Sequence, residues 1–321
     1  MEMETKRFLL HLLLGTAAII LIFLTSVQVP LLGVVLSIFM PLPIMLLSHF
    51  WGLVGGGLAV LIGTVVISTV LTPLLGLIFL VEFGVLGILL YHYVVRRGFA
   101  WDHGILFSSL IVLGMLTLLV LTARMATSFD IVNWIRQEIH ETSQVLLQPY
   151  GGKDSSVEAF RLASEKLTGF VLRIFPALIL LTIWFEGIVN VTLFTRITSR
   201  SVPASRQIVM RPEFSIWICP DRLVWGGIIG GFLIITRITP LVTIGINIVI
   251  VLAAVYFLQG IAIVSFLFKK KNVPFGLRVM GYALIGIIQI LPILVAALGL
   301  FDIWIDFRKL RPRVTAHKRG L

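Results

Sequence analysis

Stretches of about twenty apolar residues recur along the whole chain, and this feature constrains the fold most. The first, FLLHLLLGTAAIILIFLTSVQV, runs from Phe8 to Val29. A helix of about 20 residues rises roughly 30 Å, the thickness of the hydrocarbon core of a bilayer. Composition agrees. A water-soluble chain carries about 25% charged residues; here the figure is 13%, against 58% hydrophobic and a mean hydropathy of +1.06. The polar surface needed to coat a soluble globule is missing. The expectation is an all-α, polytopic transmembrane helix bundle with about eight or nine membrane helices and a surface amphipathic hairpin.

The segments are read as Phe8 to Val29, Leu31 to Leu47, Trp51 to Leu71, Pro73 to Val95, Gly104 to Ala126, Leu167 to Thr195, Leu223 to Arg237, Pro240 to the triple lysine at 269–271, and Val279 to Ile305. Pro41 and Pro43 each remove a backbone donor, so the second segment is expected to kink or break. The first segment follows Lys6 and Arg7 but is too long for a signal peptide and lacks a small-residue cleavage site, so it reads as a retained helix.

Between residues 127 and 169 the composition changes. Six acids (Asp130, Glu138, Glu141, Asp154, Glu158, Glu165) face four bases (Arg136, Lys153, Arg161, Lys166), too many charges to cross a bilayer. Ile131, Trp134, Ile135, Ile139 and Leu146 recur at helical spacing, which predicts an amphipathic helix on the membrane surface. QPYGGKDSS reads as a turn, and a second short helix from Val157 is expected to lead into the next span. The resulting division is 1–126 N-terminal membrane helices, 127–169 surface segment, 170–310 C-terminal membrane helices and 311–321 basic tail.

The net charge of +11 invites a nucleic-acid reading, but Lys and Arg cluster in short loops beside the apolar runs, as in cytoplasmic loops. No nucleic-acid motif accompanies them. With the N-terminus inside, Arg96, Arg97, the arginine loop from Arg196 to Arg222 and the triple lysine all fall inside, and the near-neutral 127–169 segment falls outside. The basic tail (Arg308, Lys309, Arg311, Arg313, Lys318, Arg319) breaks the pattern if nine crossings are made. A last segment that dips in and returns at Pro292, or an earlier one that does not cross, would restore it. The location expected is the inner (plasma) membrane, multi-pass, with a cytoplasmic N-terminus.

Two carboxylates lie inside spans. Glu186 sits in the middle of LLTIWFEGIVNVTLFTR, and Thr182, Glu186 and Asn190 are spaced four apart, drifting about 40° per step around a helix. Trp184 falls on another face, toward lipid. Glu82 sits near the centre of the fourth segment, where Gly76, Gly84 and Gly87 would let another helix approach. A charge at mid-bilayer costs roughly 2.5–3.5 kcal/mol, so such residues face the bundle interior. Two readings stay open: Glu186, Asn190, Thr182 and Glu82 line a ligand-binding or proton path, or the Glu186 stripe is an interhelical hydrogen-bonded cluster and Glu82 a lone protonated acid bonded to a backbone carbonyl. Asn247, Gln259 and Gln289 read as helix–helix contacts. Asp302 and Asp306, one turn apart in GLFDIWIDFRKLRP, read as an interfacial helix end with Arg308, with a metal or catalytic pair as the alternative. Gly52/Gly56 and Gly226/Gly230 are G-x-x-x-G pairs suited to close packing.

No P-loop and no H-E-x-x-H is present, and the single cysteine, Cys219, excludes an intramolecular disulfide. No catalytic residue, metal site or cofactor is assigned, and the chain is not expected to be an enzyme.

Several short motifs carry a resemblance: RPEFSIWICPDRLVW (Arg211 to Trp225), FLQGIAIVSFLF (Phe257 to Phe268) and LGLFDIWIDFRK (Leu298 to Lys309), with FPALIL and Asn190 earlier. In these the chain resembles the YybS-like bacterial membrane proteins, a family of unknown function thought to be distantly similar to the S components of energy-coupling-factor transporters. The resemblance implies a small-molecule-binding bundle whose partners are a transmembrane coupling protein and ATPases. Two departures stand beside it: the first helix carries no A-x-x-x-A docking pattern, and the chain has two or three spans more. The function expected is a transport or substrate-binding membrane subunit without its own ATPase, with a structural or assembly protein that recruits partners through basic loops as the alternative.

Overall fold

The computed structural model describes residues 2–127, 130–147, 155–199 and 213–310. The described residues are helical apart from short connections, and no strand occurs among them. The chain divides into two compact units, Met1–Arg211 and Pro212–Leu321. The long helix that carries Glu186 therefore belongs with the N-terminal helices, whereas the sequence division was placed at residue 170.

The first unit holds α1 (Glu2–Gln28), α2 (Pro30–Ser37), α3 (Pro41–Val70), α4 (Pro73–Arg96), α5 (Trp101–Thr127), α6 (Ile131–Leu147) and α7 (Ser155–Ile197). The expected break at Pro41 is present. Helix α2 ends at Ser37, three residues make a turn, and Pro41 starts α3, where its missing N–H is harmless. Thr72 caps α4 by accepting from the Leu75 N–H at 3.2 Å, with Pro73 in the first helical position. Asp130 caps α6, accepting from the N–H groups of Val132 (2.9 Å) and Asn133 (3.3 Å).

Helix α3 is not straight. Gly52 has φ 72° and ψ 180°, a conformation essentially confined to glycine. A methyl group on Gly56 would meet the Ser48 hydroxyl and lie 3.2 Å from the Ile44 carbonyl, twelve residues back. A continuous helix would separate those residues by about 18 Å, so the chain turns back on itself at Gly52. Gly52 has nothing within 4 Å of a notional side chain. The Gly52/Gly56 pair is thus not one packing motif: Gly52 makes the turn, and Gly56 makes the close approach. Gly76, Gly84 and Gly87 behave as expected. They bring α4 against Ser68, Val60 and Ile44 of α3. Between these helices and α1 lies a core that includes Ile19, Phe23, Ile44, Val60, Phe79 and Phe83.

The hairpin expected from residues 127–169 forms from α6 and the first turns of α7, with its turn outside the described residues. The second helix is not separate: it is the start of α7, which continues unbroken to Ile197.

The second unit holds a 3₁₀ turn (Phe214–Ile216), α8 (Leu223–Ile235), α9 (Thr239–Lys270), α10 (Phe275–Ile287) and α11 (Ile290–Ile305). Gly226 and Gly230 let α8 close on α9, where they face Leu252 and Val249. Gly260 and Gly299 bring α9 and α11 into backbone contact: a methyl on Gly299 would meet the Tyr256 carbonyl, and one on Gly260 the Val295 carbonyl. Helices α10 and α11 are bent by 105° across a two-residue break, so the last segment is broken, as expected; the break falls at Ile288 and Gln289, and Pro292 lies in the first turn of α11.

By length and composition six described helices can cross a membrane, or up to seven if the bent pair is one span. Leu223–Ile235, with 13 residues, is not among the six, and Leu32–Val70 is taken as a single one of them although the chain turns at residues 38–40 and again at Gly52. Most of the arginine loop and the tail from residue 311 onward lie outside the described residues.

Candidate functional site

Glu186 is 2% exposed and Asn190 is fully buried, so the middle of α7 turns its polar side chains toward protein. Gly187 makes this possible by letting Ile105 of α5 approach to 2.6 Å of its notional Cβ. The Asn190 amide is oriented by two donations from Nδ2, to the Ile38 carbonyl at 2.6 Å and to the Glu186 carbonyl at 2.7 Å. Flipping the amide would oppose its oxygen to two carbonyls, so the assignment is determined. Asn190 Oδ1 is consequently left buried without a partner, and so is Glu186 Oε2.

Thr182 does not join this pair. It is exposed, because the drift per step carries it off the buried face defined by Ile183, Glu186 and Asn190. Trp184, expected toward lipid, is half-buried, with Nε1 buried and unpartnered.

Glu82 lies in a π-helical turn, Leu80–Val85, inside α4. Such turns are inserted single residues that re-aim side chains and recur at functional sites. Among the described residues neither Glu82 nor Glu186 has an ion-pair partner.

Glu82 also lines a cavity of about 550 Å³. Leu75 and Ile78 of α4 and Leu119 and Ala123 of α5 form two walls; Phe175 and Ile179 of α7 form a third. Ile131 and Trp134, on the apolar face of α6, complete the lining. Glu82 is its one charged lining residue. It lies two turns along α4 from Leu75, and Glu186 lies two turns along α7 from Ile179, on the same face. Neither Glu186 nor Asn190 is among the residues that line this cavity.

A second polar cluster lies within the Pro212–Leu321 unit. Asp302, 2% exposed, accepts from Arg308 Nη2 (2.9 Å), Gln259 Nε2 (2.8 Å) and the Phe307 N–H (2.9 Å). Arg308, 5% exposed, also donates through Nη1 to the carbonyls of Ser215 (2.8 Å) and Trp217 (2.9 Å). Gln259 Oε1 accepts from the Cys219 N–H at 3.0 Å. Asp302 and Arg308 are thus a buried ion pair, and Arg308 is not part of a free basic tail. On an unbroken helix residues six apart point away from each other; here α11 ends at Ile305, Asp306 takes φ 47°, and the chain folds Arg308 back onto Asp302. Of the three amides, Gln259 joins this cluster. Asn247 donates to Thr243 in its own helix at 2.8 Å, and Gln289 is exposed at the bend.

Among the described residues no three His, Cys, Asp or Glu side chains are grouped to hold a metal ion. Residues 17–303 match the family described as Predicted membrane protein (DUF2232). The chain belongs to that family. No curated protein and no solved structure matches the chain. Membership agrees with the apolar helices: this DUF2232 protein is an integral, multi-pass membrane protein. The three segments quoted above for the YybS-like resemblance supply Ser215, Trp217, Cys219, Gln259, Asp302 and Arg308, the components of the buried cluster.

Proposed function

We propose that this DUF2232 protein is a small-molecule-binding subunit of a membrane transport system, without an ATPase and without catalytic activity of its own. The observation that carries the reading is the cavity between α4, α5, α6 and α7. Ligand sites are concave and mostly apolar, with a few placed polar groups, and this cavity has apolar walls and a carboxyl group among them. The amphipathic α6 contributes Ile131 and Trp134, in the position of a lid. In this reading the N-terminus is cytoplasmic, the membrane is the inner membrane, and the likeness to YybS-like proteins and to S components extends to a transmembrane coupling protein and ATPases as partners.

The test is purification from the native membrane in mild detergent, with mass spectrometry of retained proteins and small molecules. A coupling protein with ATPases, or a small molecule present in the wild type and absent from Glu186→Leu, is the expected result. Unrelated proteins alone, with no ligand, would replace the proposal by the structural or assembly reading.

A further inference from the structure

We infer that the corner between α9 and α10 binds an anionic phospholipid, with its phosphate against Lys270, Lys271 and Arg278 and an acyl chain along the outer face of α10. This surface lies within the Pro212–Leu321 unit and is independent of the cavity between α4, α5, α6 and α7. The sequence places three lysines at 269–271; the fold brings a fourth base to them. Helix α9 closes in a tight turn. The N–H groups of Lys271, Asn272 and Val273 donate back to the carbonyls of Leu267 (2.9 Å), Lys269 (3.0 Å) and Phe268 (2.9 Å), and Asn272 takes φ 50°. Arg278, in the first turns of α10, donates through Nε to the Val273 carbonyl at 2.6 Å. That bond holds its guanidinium at the turn where the lysines end.

The protein offsets only one of these four charges. Lys269 pairs with Glu213 and lies 3.4 Å from the Ser215 hydroxyl. Among the described residues Lys270, Lys271 and Arg278 have no ion-pair partner. Bases clustered at the end of a membrane helix attract anionic lipid heads, and a guanidinium suits the paired oxygens of a phosphate. The apolar side of the corner selects a lipid over a soluble anion. Helix α10 meets α9 along a narrow stripe, where Gly281 lets Phe268 approach to 2.7 Å of its notional Cβ, and Ile285 is its one buried residue. Phe275 (82% exposed), Val279 and Tyr282 stand at i, i+4 and i+7, so they share the side of the helix that carries Arg278 at i+3. Tyr282 meets Phe268 edge-on at 5.5 Å, which ties this face to the end of α9. An exposed apolar face bordered by uncompensated bases offers an acyl chain and a phosphate adjoining places.

The experiment uses the full chain in a neutral sugar detergent, with native mass spectrometry of lipid adducts. Phosphatidylglycerol and phosphatidylcholine with identical acyl chains are the anionic and zwitterionic probes, and glycerol 3-phosphate is the head without chains. Phosphatidylglycerol should bind about tenfold or more tightly than phosphatidylcholine, and glycerol 3-phosphate at equal concentration should not displace it. Arg278→Gln should weaken phosphatidylglycerol about fivefold, and the double variant Lys270→Gln, Lys271→Gln about tenfold or more. Both should keep phosphatidylcholine affinity within twofold, which also shows that they are folded. The double variant Arg96→Gln, Arg97→Gln, at two exposed bases of the first unit, should leave phosphatidylglycerol affinity within twofold. Equal binding of the two lipids, or unchanged phosphatidylglycerol affinity in the Lys270/Lys271 and Arg278 variants, would overturn the inference. So would an equal loss in the Arg96/Arg97 variant, which would mark a diffuse attraction to all basic surface. Displacement by glycerol 3-phosphate as effective as by the lipid itself would make the corner a site for soluble phosphate esters and remove the phospholipid.

Discussion

Replacing Asp302 by Ala should destabilise the Pro212–Leu321 unit severely. The substitution removes the acceptor of three hydrogen bonds at once, from Arg308, Gln259 and the Phe307 N–H. The Arg308 guanidinium stays buried, held only by the carbonyls of Ser215 and Trp217. Breaking a buried pair from one side costs about 3–5 kcal/mol, because the remaining charge is uncompensated. At roughly 4 °C or more per kcal/mol for a unit of this size, the midpoint should fall by ~12 °C or more. Cys219 provides the assay. It is the single cysteine, it is buried, and its N–H is held by Gln259 within the same cluster. A thiol-reactive fluorogenic dye followed during heating in detergent therefore reports the opening of this cluster. The double variant Asp302→Leu, Arg308→Met should recover much of the loss, since a buried pair replaced on both sides by apolar residues is often neutral in stability. A single variant melting within about 3 °C of the wild type, or a double variant no better than the single, would refute the account, because contacting partners must show coupling in such a cycle.

Two further outcomes follow from local geometry. Gly52→Ala should cost about 1–3 kcal/mol, the usual penalty for a side chain in that backbone region, whereas Gly57→Ala, which meets nothing within 4 Å, should cost nothing; soluble, monodisperse protein remaining after heating in detergent measures both, and equal losses would contradict the turn at Gly52. The Lys269 ammonium, and then the Ser215 hydroxyl, hold the exposed Glu213 carboxyl below its ordinary value of 4.5. A carboxyl lowered on folding stabilises the protein above its unfolded value, and that contribution disappears as pH falls through the folded value. The midpoint of soluble, monodisperse protein remaining after heating should thus keep this contribution above pH 4.5 and decline below it, less so in Lys269→Met; identical profiles would show that the pair contributes nothing.

Much of the architecture is legible in the chain because it is local. Apolar runs of spanning length, prolines at 41 and 73, and the charge density of residues 127–169 act within one helix or one turn, and each appears where the sequence places it. The burial of Glu186 also follows from sequence, since a carboxylate inside an apolar run has few places to go other than the interior. Boundaries and counts are less legible. Length alone does not show that Leu223–Ile235 is too short to count as a span, or that Gly52 folds a helix back.

The site itself is decided by tertiary structure. Four-residue spacing placed Thr182 with Glu186, but which arc of α7 is buried depends on where α5 and the Ile38 carbonyl lie. Glu82 comes to share a cavity with Phe175 and Ile179, more than ninety residues away, only when α4 and α7 pack together. Asp302 and Arg308 have the wrong spacing for a helix face; a left-handed residue at 306 joins them, and Gln259 with the carbonyls of 215 and 217 completes the cluster from segments 43 to 93 residues away. Hydropathy is a property each residue carries into any context, so a bilayer reads it directly from the chain. A buried hydrogen bond or ion pair exists only when two distant segments supply donor and acceptor at one point, and that coincidence is made by the packing of the helices.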